Sequence, residues 1–166
     1  MLFNMINCFK NNKINNLHYN TTPFFSLKNK KKICKVLDVY DGDTITIGFN
    51  LKGFNIIKLK CRLLGIDTPE MKGSSDENIK KAIDARNYLI KEVSNIVINS
   101  SNNYTRNEIK NFLGNSKKTI NCLFDDMDKY GRLLITLYDD DGNNINTKMI
   151  NKGYAKKYYG GKKDIE

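Results

Sequence analysis

The chain has 166 residues, enough for one buried core and short for two. Hydrophobic residues make up 40% of it, which suits a globular domain, and no apolar run approaches the roughly 18 residues of a spanning helix. Twenty-eight Lys and Arg against 18 Asp and Glu give a formal charge of +10, which attracts polyanions without naming one, since Lys and Asn enrichment is also an ordinary bias of composition.

Residues 1–32 carry no acid and end in "LKNKKK", the texture of a flexible basic arm rather than a packed element. Its start, "MLFNMINCF", is interrupted by Asn4 and Asn7 and has no basic residue ahead of it, so no secretory signal is expected. An intracellular setting is favoured, with targeting as a second use of the arm. Cys8, Cys34, Cys61 and Cys122 form no C-x-x-C and have only His18 to join them. Buried free thiols in a reducing compartment are the simpler reading.

From Ile33 the pattern turns to strand. "ICKVLDVY" is β-rich, Asp41 and Gly42 signal a turn, and Ile45, Ile47 and Phe49 alternate onto one face, so a hairpin is predicted. After a reversal at Gly53, Ile57, Leu59, Cys61 and Leu63 alternate with Lys58, Lys60 and Arg62. Pro69 stops that strand. Ser74 with Glu77 reads as a capping box ahead of Ile79, Ala82, Ile83, Leu89, Ile90 and Val93, an amphipathic helix of four to five turns.

The polar stretch 99–117 is expected as a surface insertion, with one short helix capped by Thr105 and Glu108. "KTINCLF" and "RLLITLY" are two further strands flanking "DDMDKYG", and "NNINTKMINKG" is a short helix closed by Gly153. The predicted fold is α+β, mainly β: an OB-like five-stranded antiparallel barrel with two main helices packed on it. Residues 33–159 form that domain and 160–166 a short basic tail.

The chemistry gathers in a few places. Asp43, Asp67 and the Thr68 carbonyl are hard oxygen donors of the kind Ca²⁺ takes, provided two strand ends meet. Taken singly, Asp41 and Asp43 read as turn residues around Gly42, Glu70 as a solvated loop carboxylate, and Arg62 and Arg132 as surface charges.

Together, "DGDT" at 41–44, "RLLGIDTPE" at 62–70, "DKYGRLL" at 128–134 and "INKGYA" at 150–155 resemble, in order and spacing, the signature blocks of the staphylococcal nuclease (thermonuclease) family. The resemblance runs from about Ile33 to Tyr159. It implies an OB barrel and a Ca²⁺-dependent phosphodiesterase that cleaves DNA and RNA to leave 3′-phosphate ends. By the same resemblance Asp43, Asp67 and Thr68 are the calcium ligands, with Asp41 a weaker candidate. Glu70 falls on the glutamate that accepts a proton from the attacking water or orients it. Arg62 and Arg132 match the arginines that hold the scissile phosphate. Lys129 and Tyr130 line the nucleotide pocket, and Tyr159 is the base-stacking tyrosine.

The expected substrate is DNA or RNA with little sequence preference, single strands preferred, cleaved by a monomer. The chain departs from the family pattern where Gly161 stands in place of a second tyrosine. The sequence as given also stops at Glu166, where secreted members continue into a third helix. Cover for the barrel is then expected from 99–117 or from the arm. The rival reading is an OB-fold module that binds single strands by charge and stacking without catalysis, which leaves the acids at 43, 67 and 70 unexplained.

Overall fold

A computed structural model describes residues 12–73 and 75–158. After a single helical turn, α1 (Asn12–Asn15), come β1 (Lys31–Val39), β2 (Thr44–Leu51), β3 (Asn55–Leu63) and β4 (Ile66–Asp67). Helices α2 (Asp76–Val93) and α3 (Arg106–Asn115) follow, then β5 (Ile120–Met127), β6 (Leu133–Tyr138), α4 (Ile145–Asn151) and β7 (Lys156–Lys157). Five strands close into a barrel in the order β1-β2-β3-β6-β5, the OB-like barrel expected from the strand pattern. The antiparallel expectation needs one correction. β3 and β6 run parallel, with Cys61 opposite Leu133 and Arg62 opposite Leu134, because α2, α3 and β5 intervene between them and return the chain in the same direction.

Alternation explains the core. Ile45, Ile47 and Phe49 of β2 and Cys61 and Leu63 of β3 all point inward and are buried, while Lys58 and Lys60 face out. Phe49 meets Phe124 edge to face at 5.0 Å across the barrel. Cys34, Cys61 and Cys122 are buried free thiols in this core, and burial pushes the Cys61 thiol up to about 12, so it packs as a small apolar group. Cys8 lies outside the described residues. Among the described residues no helix is long and apolar enough to cross a membrane.

Three helices, rather than two, cover the barrel. α2 is capped by Ser75, whose hydroxyl accepts from the Asn78 amide; Ser74, expected in that role, lies outside the described residues. The helix buries Ala82, Ala85, Leu89, Ile90 and Val93 on one face. The stretch expected as a surface insertion contains α3, which has the predicted Thr105–Glu108 capping box and buries Ile109 and Leu113 fully in the core. The insertion therefore supplies barrel cover. Leu27, from the end of the basic arm, is also buried, and the Asn29 amide donates to the Phe124 carbonyl at 2.8 Å.

α4 is fastened by Asn146, which is 3% exposed. Its side-chain oxygen accepts from the Leu137 amide at 3.1 Å, and its amide nitrogen donates to the carbonyls of Leu64 and Ile135 at 2.9 and 3.0 Å. One side chain thus satisfies three backbone groups where β3 and β6 meet in parallel. Asn146→Leu removes all three bonds, leaving the Ile135 carbonyl only its bond from the Leu64 amide, and is expected to destabilise the protein by about 2–4 kcal/mol in urea titrations, the m-value staying constant.

Asp139 accepts from Lys148 at 2.6 Å and from the Asn143 amide at 2.8 Å, and these contacts hold its carboxyl far below the ordinary range. A depressed folded-state value stabilises above the unfolded value and loses that contribution as pH falls. The stability gap between wild type and Asp139→Asn should therefore be full at neutral pH and close progressively below about pH 4, read by thermal melts across pH.

Candidate active site at the barrel rim

The turn between β1 and β2 is built by its own side chains. Asp41 accepts from the amides of Asp43 and Thr44 at 3.0 and 2.6 Å, a local bond that fixes the reversal and aims Asp43 across the rim. Gly42 is required there. A Cβ on it would lie 2.8 Å from Thr68 Cγ2 and 3.0 Å from Ala85 Cβ, so the turn, the loop after β4 and helix α2 already touch.

Strand register then delivers Arg62. Thr44 pairs with Arg62, and the Leu63 amide donates to the Asp43 carbonyl at 2.8 Å. Arg62 Nη1 lies 2.6 Å from Asp43 Oδ1, and its Nη2 lies 2.8 Å from Asp67 Oδ1 and 3.1 Å from the Ile66 carbonyl. The second Asp43 oxygen accepts from the Thr68 amide at 3.3 Å. The condition set by the sequence, that the hairpin corner and the loop near residue 68 meet, is satisfied: Asp43, Asp67, Thr68 and Arg62 form one cluster.

Arg132 stands on the neighbouring strand end. Its Nε donates to Asp128 Oδ2 at 2.7 Å, and its Nη1 donates to the Thr44 hydroxyl at 3.3 Å. That hydroxyl in turn donates to Asp43 Oδ1 at 3.0 Å. Thr44 therefore links the two guanidinium groups through Asp43. Sequence reasoning passed over Thr44 and Asp128 as actors, although both sit inside the "DGDT" and "DKYGRLL" blocks. The 128–131 turn carries Lys129 and Tyr130 outward; Tyr130 is 72% exposed, with Arg132 over its ring at 5.5 Å and Lys129 at 5.1 Å. Glu70 is exposed on the loop after Pro69 and close enough to Asp41 for its charge to act there.

A second unforeseen element completes the rim. β7 pairs with β4, Lys156 opposite Asp67, and the Tyr158 amide donates to the Gly65 carbonyl at 3.0 Å. This brings the Tyr158 ring within 5.6 Å of the Arg62 guanidinium. Tyr159 lies outside the described residues.

Electrostatically the cluster is crowded with buried acid. Burial, followed by the neighbouring charge of Asp41, lifts the Asp43 carboxyl to about 7 despite the opposing pull of Arg62. Asp41 is raised as well, chiefly by burial. For Arg62, burial works against the charge, but Asp43 and Asp67 outweigh it and the net shift is upward. The donors are all oxygen, as a hard divalent cation prefers. Among the described residues no three His, Cys, Asp or Glu side chains form a metal-binding group, so a cation here would rest on two carboxylates, backbone carbonyl and solvent.

Residues 60–165, more than half of the chain, match the staphylococcal nuclease homologue family. The chain belongs to that family. Its members are generally nucleases, and membership brings a nuclease-like or nucleic-acid-binding function and a nucleic-acid substrate. The nucleases of this family typically use Ca²⁺. No curated protein matches the chain. The matched region holds Arg62, Asp67, Thr68, Glu70, Lys129, Tyr130 and Arg132, whereas Asp41 and Asp43 precede it and join the cluster through the β2–β3 register.

Because the carboxyl of Asp43 is raised, its charged form weakens the fold above neutrality when no cation is bound. Asp43→Asn keeps the shape and removes that charge. The substitution is expected to raise the melting temperature in chelator at pH 8 and to abolish any further rise on adding calcium; a lower melting temperature would show that the Arg62 contact outweighs the crowding of acids.

Proposed function

We propose that the protein is a calcium-dependent nuclease that hydrolyses phosphodiester bonds of DNA and RNA with little sequence specificity and leaves 3′-phosphate ends. The observation that carries this reading is the convergence of Asp43 and Asp67 on one guanidinium, beside the buried Thr68 backbone. Asp43, Asp67 and the Thr68 carbonyl are the proposed holders of the ion. Bound there, calcium would supply the positive charge that the crowded acids lack and a Lewis-acidic centre beside the scissile phosphate.

The chain's own groups do the rest. Arg62 carries five N–H donors, and its contacts with Asp43, Asp67 and Ile66 do not use Nε, which is left for a phosphate oxygen. Arg132 is held in place by Asp128 and Thr44 before substrate arrives, so little conformational freedom is lost when it binds phosphate. Two fixed guanidinium groups stabilise the charge that builds on the equatorial oxygens during attack. Glu70, on the rim, orients the attacking water or accepts its proton. Lys129 and Tyr130 offer charge and an exposed ring to the nucleotide, and Tyr159 belongs to the same proposed subsite. Single strands suit this surface, since an unpaired base is free to stack. We place the protein, as a monomer, in a reducing intracellular compartment, which the three buried free thiols support.

Digestion of single-stranded DNA and RNA with calcium, and again with a calcium chelator, tests the reading. Cleavage is expected only with calcium, with far-UV circular dichroism unchanged by the chelator. Arg62→Ala and Arg132→Ala should each lower turnover by about 10²-fold or more while the melting transition persists. Near-native cleavage by either variant would remove it from the catalytic set. A folded protein that binds strands yet cuts none under any condition would leave the inactive binding module.

A further inference from the structure

Next to Tyr40, the residue before the acid-bearing turn, lies a second charged group that the nuclease reading does not use. Asp38 of β1 is paired with Arg106, the first residue of α3. Arg106 also lies over the Tyr40 ring at 4.6 Å. Arg86 of α2, only 3% exposed, donates to the Asn103 side chain at 3.3 Å and stands next to Arg106. Asp38 is paired with Arg106 alone, and the charge of Arg106 reaches Arg86. Burial, and then the Arg106 charge, pull Arg86 below its ordinary value, so the second positive charge is present at an energetic disadvantage. The Nε atoms of Arg86 and Arg106 and Oδ1 of Asp38 are buried without a hydrogen-bond partner.

The group opens to solvent where it can meet a ligand. The Arg106 side chain is 39% exposed and Tyr40 is 42% exposed. Its place is set by the same packing that builds the rim. Tyr40 immediately precedes Asp41, and its amide donates to the Thr44 carbonyl at 2.8 Å. Arg86 follows Ala85, the residue against which Gly42 packs. Tyr40 thus sits at the foot of the turn that carries Asp41 and Asp43.

We propose that Arg106 and Tyr40, backed by the charge of Arg86, form a second phosphate-and-base subsite for the nucleic-acid strand, distinct from the cleavage centre and supplied by helix α3. This rests on the nuclease-family reading and extends it by assigning how the flanking strand is held. One diester phosphate carries the single negative charge that Arg86 and Arg106 together lack after Asp38 is counted, and its oxygens are acceptors for guanidinium donors. The adjacent Tyr40 ring, 42% exposed beneath Arg106, offers a surface on which a base of any identity can stack.

Fluorescence anisotropy of labelled single strands with calcium present, on a Glu70→Gln background that suppresses cutting, separates this subsite from catalysis. Arg106→Gln and Tyr40→Leu should each weaken binding of a strand of about 12 nucleotides by roughly tenfold and leave a dinucleotide unaffected. Arg106→Gln should also reduce the slope of log affinity against log salt by about 1. Since Arg106→Gln strips Asp38 of its partner, the double variant Asp38→Asn/Arg106→Gln is measured beside it and should show the same loss with a native melt. Equal effects on long and short strands, or none on either, would overturn the subsite. Stabilisation by inorganic phosphate that depends on Arg106, without any effect on long strands, would overturn the strand assignment in favour of a free-phosphate site. Failure of the digestion assay reads on catalysis, and loss of this length dependence reads on the subsite.

Discussion

The rim is organised by one guanidinium held between two carboxylates. Asp43 is 2% exposed, and two neighbouring acids act against its charge, yet Arg62 lies 2.6 Å away and takes Asp67 with its other nitrogen. Without that bridge the β1–β2 turn and the loop after β4 would repel each other at the point where they must touch. The bridge is possible only because Thr44 and Arg62 are in register, which puts the guanidinium one strand away from Asp43, and because the chain turns at Gly65 to return Asp67 to it. The result is rigid and still electrostatically incomplete: Asp43 remains raised to about 7 with Arg62 in place.

Rigidity comes from outside the cluster. Ala85 of α2 and Thr68 both lie against Gly42, so the turn cannot drift without moving a helix that is buried on one face from Ala82 to Val93. The parallel seam between β3 and β6 sets Arg132, one residue before Leu133, at the same end of the barrel as Arg62. Asn146 then locks α4 onto that seam. Asp128 presets Arg132 through both its backbone amide and its Nε. Groups that are to act on a developing charge gain most when their orientation is fixed in advance; Arg132 is fixed by Asp128 and Thr44, which take no part in the proposed chemistry, and Arg62 by the two proposed holders of the ion.

The parts of this arrangement that follow local rules were legible in the sequence. Period-two alternation gave Ile45, Ile47, Phe49, Cys61 and Leu63 their inward face, and the Thr105–Glu108 pair gave α3 its cap. What escaped were contacts between residues far apart in sequence. Nothing in a strand's own pattern says that its neighbour runs parallel, that two residues near the C-terminal end pair with Ile66 and Asp67, or that a polar stretch hides Ile109 and Leu113 among its Asn and Lys. Asn146 reads as a helix residue like any other until the three backbone groups it serves are seen around it. For the site, the blocks pointed to Asp43, Arg62 and Asp67. The supporting roles of Thr44, Asp128 and Tyr158 depend on distances across the barrel rim.

Charge is distributed unevenly about Tyr40, and this constrains how any polyanion can bind. On one side Asp43 and Asp67 converge on Arg62 with Asp41 beside them, while Arg132 is paired with Asp128. On the other side Arg106 is paired with Asp38, and the buried Arg86 is close enough for the two guanidinium charges to act on each other. A strand carries one negative charge at every phosphate, so it is attracted to the second side and repelled by the first. Burial, then the charge of Asp41, raises the Asp43 carboxyl to about 7, so a phosphate brought beside it meets a poorly solvated acid. A cation or a proton there would lower that cost, and a proton on Asp43 would remove an oxygen donor from the pair that faces Arg62.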